Sequence, residues 1–115
     1  MDTKKLATEI CKVLSSKKAE DILLIDVSKK TTLADYFILA SGKSTTQVRT
    51  LCDNVEDMLS KSGIEPKSRD GVSEGRWAAI DYGDIIIHIF NDEQRLFYHL
   101  ERLWGDSENI IKIDD

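Results

Sequence analysis

Proline occurs once in these 115 residues, at Pro66, and cysteine only twice, at Cys11 and Cys52. The two cysteines form no Cys-x-x-Cys pair and fall on the apolar stripes of separate predicted helices. They read as reduced core residues, since a free thiol behaves as a small hydrophobe, with a disulfide or a metal site as the lesser alternative. No apolar run approaches the roughly 18 residues of a membrane span. The N-terminus, Met-Asp-Thr-Lys-Lys, lacks the apolar core of a signal peptide, so the expected location is cytoplasmic. Positive charge is in deficit as well: 16 Lys and Arg face 21 Asp and Glu, a net charge of −5. Such a field repels nucleic acid and attracts basic protein surfaces, which argues against an autonomous DNA or RNA binder. Repeats, linkers and low-complexity blocks are missing too, and the length suits one domain that buries roughly 65% of its unfolded surface.

What the sequence does have is clear periodicity. Residues 3–14 place Leu6, Ala7, Ile10, Cys11, Val13 and Leu14 on one helical stripe. Residues 21–27 and 36–41 read as buried strands, the second closed by Gly42. Ser44-x-x-Gln47 is a capping box, followed by the stripe Val48, Leu51, Cys52, Val55, Met58 and Leu59 and the stop Ser62-Gly63. Residues 64–75 hold Pro66, Gly71 and Gly75, which limits them to a short strand and a loop. Next, Trp-Ala-Ala-Ile-Asp-Tyr and Ile-Ile-Ile-His-Ile-Phe flank Gly83-Asp84, the pattern of a tight hairpin with a primed turn. From Asn91, a plausible cap, the period lengthens to that of a helix carrying Leu96, Phe97, Leu100, Leu103 and Trp104, with Gly105 as its stop. Residues 108–115 are an acidic tail or an edge strand. The fold class is therefore α/β: a mixed sheet of about five strands with helices on one or both faces.

Chemical motifs are sparse. Gly42-Lys43-Ser44-Thr45 lies between a strand and a helix, where a phosphate loop would be. The glycine a Walker A motif needs five positions earlier is Phe37, so a simple capped helix is the better reading. Asp81 and Asp84 bracket the hairpin turn three apart, unlike carboxylates one residue apart on a strand face that share Mg²⁺, and turn chemistry accounts for them. His88 shares a strand face with Ile86 and Phe90 and reads as a satisfied, half-buried histidine. No nucleophile or metal-ligand spacing accompanies it or His99, so neither a cofactor nor a metal is expected. Trp77 begins a strand directly after a glycine-bearing loop, beside Arg76. It suits the core and the centre of a protein interface equally well.

Three segments together carry a family resemblance: Leu33-Ala-Asp-Tyr-Phe-Ile-Leu-Ala-Ser-Gly-Lys-Ser, Gly75-Arg-Trp-Ala-Ala-Ile-Asp-Tyr-Gly-Asp-Ile-Ile-Ile-His-Ile-Phe and Arg95-Leu-Phe-Tyr-His-Leu-Glu-Arg-Leu-Trp-Gly-Asp. In combination they resemble the ribosomal silencing factor, or Iojap, family over residues 1–107, with departures at Lys43 and Ala78-Ala79 and the tail 108–115 left unassigned. The resemblance implies a nucleotidyltransferase-like topology without the catalytic carboxylates. It implies a non-enzymatic translational repressor that binds the large ribosomal subunit through its protein number fourteen and sterically blocks joining of the small subunit. It also implies a possible homodimer. On this reading Trp77 is the anchor of the partner surface, Glu74, Asp81 and Asp84 pair with basic groups of the partner, and Arg76 and Tyr82 line the rim. A basic ribosomal protein would draw a chain of charge −5 towards it. Two alternatives stand beside this: a small nucleotide-binding or nucleotidyl-transferase-like enzyme, and a large-subunit assembly factor.

Overall fold

Asp2 opens the first helix, its carboxylate accepting the backbone N–H of Lys5 at 3.2 Å. This helix, α1 (Thr3–Ser16), buries Ala7, Ile10, Cys11 and Leu14. It ends in a Schellman motif: Ala19 N–H donates to the Leu14 carbonyl and Lys18 N–H to that of Ser15. Lys18, at φ +68°, occupies the left-handed position where glycine is usual. Strands β1 (Glu20–Asp26) and β2 (Tyr36–Gly42) follow, then α2 (Thr45–Lys61), β3 (Ser68–Asp70), β4 (Trp77–Asp81), β5 (Ile85–Asn91) and β6 (Ile110–Ile111). These come from a computed structural model that describes residues 2–91 and 110–111. The helix expected after Asn91, with Leu96, Phe97, His99, Leu100, Leu103, Trp104 and Gly105, lies outside the described residues. Asn91 itself, expected as that helix's cap, is the last residue of β5 and pairs with Gly42.

The capping box at α2 forms as the sequence implies. Ser44 Oγ accepts Gln47 N–H at 3.0 Å, while Gln47 Oε1 reaches back to Lys43 N–H at 2.6 Å. At the other end Ser62 caps the helix and Ile64 N–H donates to the Leu59 carbonyl, a second Schellman turn with Gly63 at φ +78°.

Among the described residues the strands form one six-stranded sheet in the order β3-β4-β5-β2-β1-β6. The β2–β5 pair at its centre is parallel and every other pair is antiparallel. The sheet is thus one strand wider than the sequence suggests, because Ile110–Ile111 adds to β1 as an edge. Within β1 the register slips: Glu20 pairs with Ser41 but Leu23 with Leu39, so a bulge falls at 21–22, where Asp21 has φ +51°. The bulge starts the strand one residue earlier than its hydrophobic pattern indicates.

Alternation along the strands then sorts the core into two layers. Leu24, Ile38, Ala40, Ala78, Ile80, Ile87 and Ile89 face α1 and α2, closing over Ile10, Leu14, Leu51, Val55 and Leu59. Ile25, Phe37, Leu39 and Phe90 occupy the opposite face together with Val27 and Ala34. Burial on both faces is why β5 reads as apolar at nearly every position from Ile85 to Phe90. Both thiols are buried in the helical layer and burial raises each to about 12. Neither is poised for chemistry.

Candidate functional site

The hairpin β4–β5 sets the register of everything at this site. Tyr82 N–H donates to the Ile85 carbonyl at 2.9 Å across the two-residue loop Gly83-Asp84. A positive φ at Gly83 (+89°), but not at Asp84, is the type II′ pattern. A two-residue loop fixes the pairs Trp77↔Phe90, Ala79↔His88 and Asp81↔Ile86, all on the face away from the helices.

Trp77 therefore lies over Phe90 and diagonal to His88. Its ring stacks on that of Phe90 with centroids 5.4 Å apart, and its Nε1–H donates to Nδ1 of His88 at 3.1 Å. The His88 ring meets Phe37 edge-on at 5.5 Å and 73°. It is 9% exposed, more deeply placed than the half-buried position the sequence suggests, and burial lowers its pKa to about 4. Trp77 remains 41% exposed, one of two large apolar side chains so placed among the described residues, the other being Leu33 at 71%.

Loop 71–76 leads into Trp77 and carries Glu74 and Arg76, both exposed. The loop is fastened to the start of α2. Arg49 Nη1 donates to the Ser73 carbonyl at 3.1 Å, and Gly75 lies against Thr45, where a Cβ would come within 2.5 Å of the Thr45 carbonyl oxygen. On its other side Asn91 N–H donates to the Arg76 carbonyl at 2.9 Å. Glu74, Arg76 and Trp77 thus form one group at the end of the sheet where β2 and β5 finish.

The other three candidates lie elsewhere. Asp81 and Trp77 are four residues apart on β4, roughly 13 Å. Asp81 Oδ1 accepts Gly83 N–H at 2.7 Å, which is the turn chemistry anticipated for it. Asp84 is exposed, and its carbonyl takes Asp35 N–H at 2.8 Å and Tyr36 N–H at 3.1 Å. Tyr82 points to the helical side of the sheet and packs against that core layer. Its hydroxyl is buried with no partner among the described residues. Desolvation first, then the nearby Glu56 and Glu65 carboxylates, push its pKa up to about 12. Tyr82 and Trp77 accordingly face opposite sides of the sheet.

At Gly42-Lys43-Ser44 the helix cap and the lysine side chain are engaged within the chain. Gln47 closes the cap, and Lys43 Nζ sits 3.4 Å from Glu20 in an exposed ion pair. Among the described residues no group of three or more His, Cys, Asp or Glu is arranged to hold a metal ion, and no helix is long and apolar enough to cross a membrane.

Sequence reasoning missed the Trp77–His88 pair, although the signal was present. Once the loop is two residues, position 77 must fall diagonal to position 88. The Arg49–Ser73 bond carried no such signal, since nothing local ties a helix residue to a loop 24 positions on.

Comparison with known proteins places this geometry in context. The family model described as "Ribosomal silencing factor during starvation" matches residues 1–115. The ribosomal silencing factor RsfS of Bacillus subtilis is 38% identical over 103 residues, 90% of this chain and 85% of that protein. The protein of the same name from Halalkalibacterium halodurans is 31% identical over 110 residues, 96% and 94% of the two chains. A crystal structure of a Chromobacterium violaceum protein superposes with a TM-score of 0.86 at 28% identity, covering 100% of this chain and 98% of that one.

Proposed function

We propose, from the premise that this chain belongs to the ribosomal silencing factor family, that it represses translation by binding the large ribosomal subunit and blocking the small subunit from joining. The partner in this reading is the large-subunit protein number fourteen, and the chain acts in the cytoplasm without catalysis.

The observation that carries the proposal is the exposed Trp77 on a fixed support. Interface energy concentrates in a few aromatic and arginine anchors surrounded by polar groups, and Trp77 with Arg76 and Glu74 has that composition on a rigid strand and a fastened loop. Asp84, exposed at the far hairpin tip, and Asp81 beside it add negative charge that a basic partner would meet if it spans the length of the β4–β5 hairpin. Tyr82 supports the tip from beneath. A steric blocker needs only such a rigid adhesive face, and the excess of carboxylates favours encounter with a basic ribosomal protein.

Sucrose-gradient sedimentation with purified large subunits, with and without small subunits, tests this. The expected result is co-migration with the large subunit and a reduced peak of joined ribosomes. Protein that stays at the top of the gradient would refute it.

A further inference from the structure

Trp77 is the larger of the two exposed apolar side chains among the described residues, yet the one polar atom of its ring is turned away from solvent. An indole has a single hydrogen-bonding group, the Nε1–H, which can only donate. Here it is spent on Nδ1 of His88, 3.1 Å away, and His88 is 9% exposed. What Trp77 shows to the outside is hydrocarbon.

The acceptor is itself held. The His88 ring lies edge-on to Phe37 at 5.5 Å and nearly parallel to Phe90 at 6.2 Å and 17°, and Phe90 in turn stacks under Trp77 at 25°. An Nδ1 that accepts requires the neutral ring with its proton on Nε2. Burial favours that neutral form. His88, Phe37 and Phe90 thus make an aromatic floor with one acceptor in it, and Trp77 is the tile that fits.

We infer that His88 is a positioning residue of the docking surface: by taking the indole N–H inward it makes Trp77 a purely apolar anchor, matched to a partner pocket lined with aliphatic carbon and presenting no acceptor to the ring. This rests on the reading that Trp77 docks on the large subunit. A free surface tryptophan would offer its N–H to any acceptor and would lose rotamer freedom on binding. A pre-set ring avoids both losses, and partners that bind through an indole hydrogen bond are disfavoured.

The test separates the hydrogen bond from the packing. In His88→Asn the Oδ1 stands near the place of Nδ1 and can still accept; in His88→Phe the ring remains and the acceptor is gone. The indole N–H of Trp77, followed by ¹⁵N-correlated NMR and assigned with Trp77→Phe, is expected to exchange slowly in the unaltered protein and in His88→Asn, and quickly in His88→Phe. Binding to purified large subunits is expected to stay within about threefold for His88→Asn and to weaken about tenfold for His88→Phe, the size of effect expected when an ordered side chain is released. Fast indole exchange in the unaltered protein would overturn the inference. So would unchanged binding by His88→Phe when Trp77→Ala binds poorly, which leaves the docking reading intact. Full binding by Trp77→Ala would remove the docking reading and the inference together.

Discussion

Trp77 and His88, eleven positions apart, are joined by a 3.1 Å hydrogen bond between an exposed strand start and a buried strand centre. The bond makes an exposed aromatic group of this face continuous with the core. Truncating Trp77 to Ala should weaken binding to large subunits by at least ~2 kcal/mol, about thirtyfold, because anchors of this type carry much of an interface's energy. Because Trp77 is partly solvent-exposed, the same change should leave the fold intact by circular dichroism. Undiminished co-sedimentation would remove it from the contact surface.

Acid should find the same pair from the inside. Burial lowers the His88 pKa from 6.5 to about 4. Between those values the unfolded chain binds a proton that the folded chain refuses. Stability from this group is therefore full above pH 6.5 and is lost as pH falls towards 4. The loss should reach about 2–3 kcal/mol near the lower end. Urea unfolding at near-neutral pH and at about pH 4.5 measures it, with His88→Phe as the variant that no longer titrates. The variant should lose clearly less stability across that interval. Equal losses would show that other groups carry the acid sensitivity.

The end of α1 offers a gain. Lys18 holds φ +68°, which strains any side chain, while its carbonyl accepts Gln47 Nε2 at 3.2 Å and would do so equally from glycine. Lys18→Gly should stabilise the protein by about 0.5–1 kcal/mol and raise its Tm by about 3 °C. A lowered Tm would mean that the lysine side chain contributes more than its backbone costs.

Two glycines with nearly the same φ should respond differently. At Gly63, φ +78°, an added Cβ would have no atom within 4 Å, so Gly63→Ala should cost only the left-handed strain, about 1 kcal/mol. At Gly75, with φ +72°, the same Cβ would meet the Thr45 carbonyl oxygen at 2.5 Å and Thr45 Cα at 2.9 Å, which only a shift of backbone relieves. Gly75→Ala should therefore cost about 2 kcal/mol or more and also weaken binding, because it displaces the loop that carries Glu74 and Arg76. Thermal melts of the two variants decide the point, and equal losses would contradict it.

Removing the Tyr82 hydroxyl should be harmless or beneficial. It is buried without a partner among the described residues, so Tyr82→Phe is expected to change stability by between zero and about 1 kcal/mol in the favourable direction. Large-subunit binding should stay within about twofold. A tenfold loss would place the hydroxyl in contact with the partner.

Much of this was legible beforehand because it is local. The capping box at Ser44, the stripes of α1 and α2 and the Gly83-Asp84 hairpin each depend on residues a few positions apart, and each formed as the sequence implied. The bulge at Asp21 was not legible, since a non-glycine residue at φ +51° leaves no compositional mark. The six candidate contacts are close in sequence but do not form one cluster in space. Strand alternation sends Tyr82 to the helical face, and strand length carries Asp81 and Asp84 to the opposite end from Trp77. Proximity along a strand is neither proximity across it nor agreement of face.

The central β2–β5 pair has a consequence for how the chain folds. Hairpin β4–β5 closes across two residues, but Tyr36 and Ile85, the first partners of the parallel pair, are 49 positions apart with α2, β3 and β4 between them. Local elements can form in microseconds, whereas joining β2 to β5 requires closing that long loop before any ladder bond compensates for it. The pairs within β1–β2 and within β3–β4–β5 are short-range and antiparallel, whereas the parallel β2–β5 seam and the β1–β6 edge, where Leu24 meets Ile111, join distant parts of the chain. The floor under Trp77 straddles that seam, with Phe37 on one side and His88 and Phe90 on the other. Until that seam forms, the floor under Trp77 is incomplete, because Phe37 is not yet beside His88.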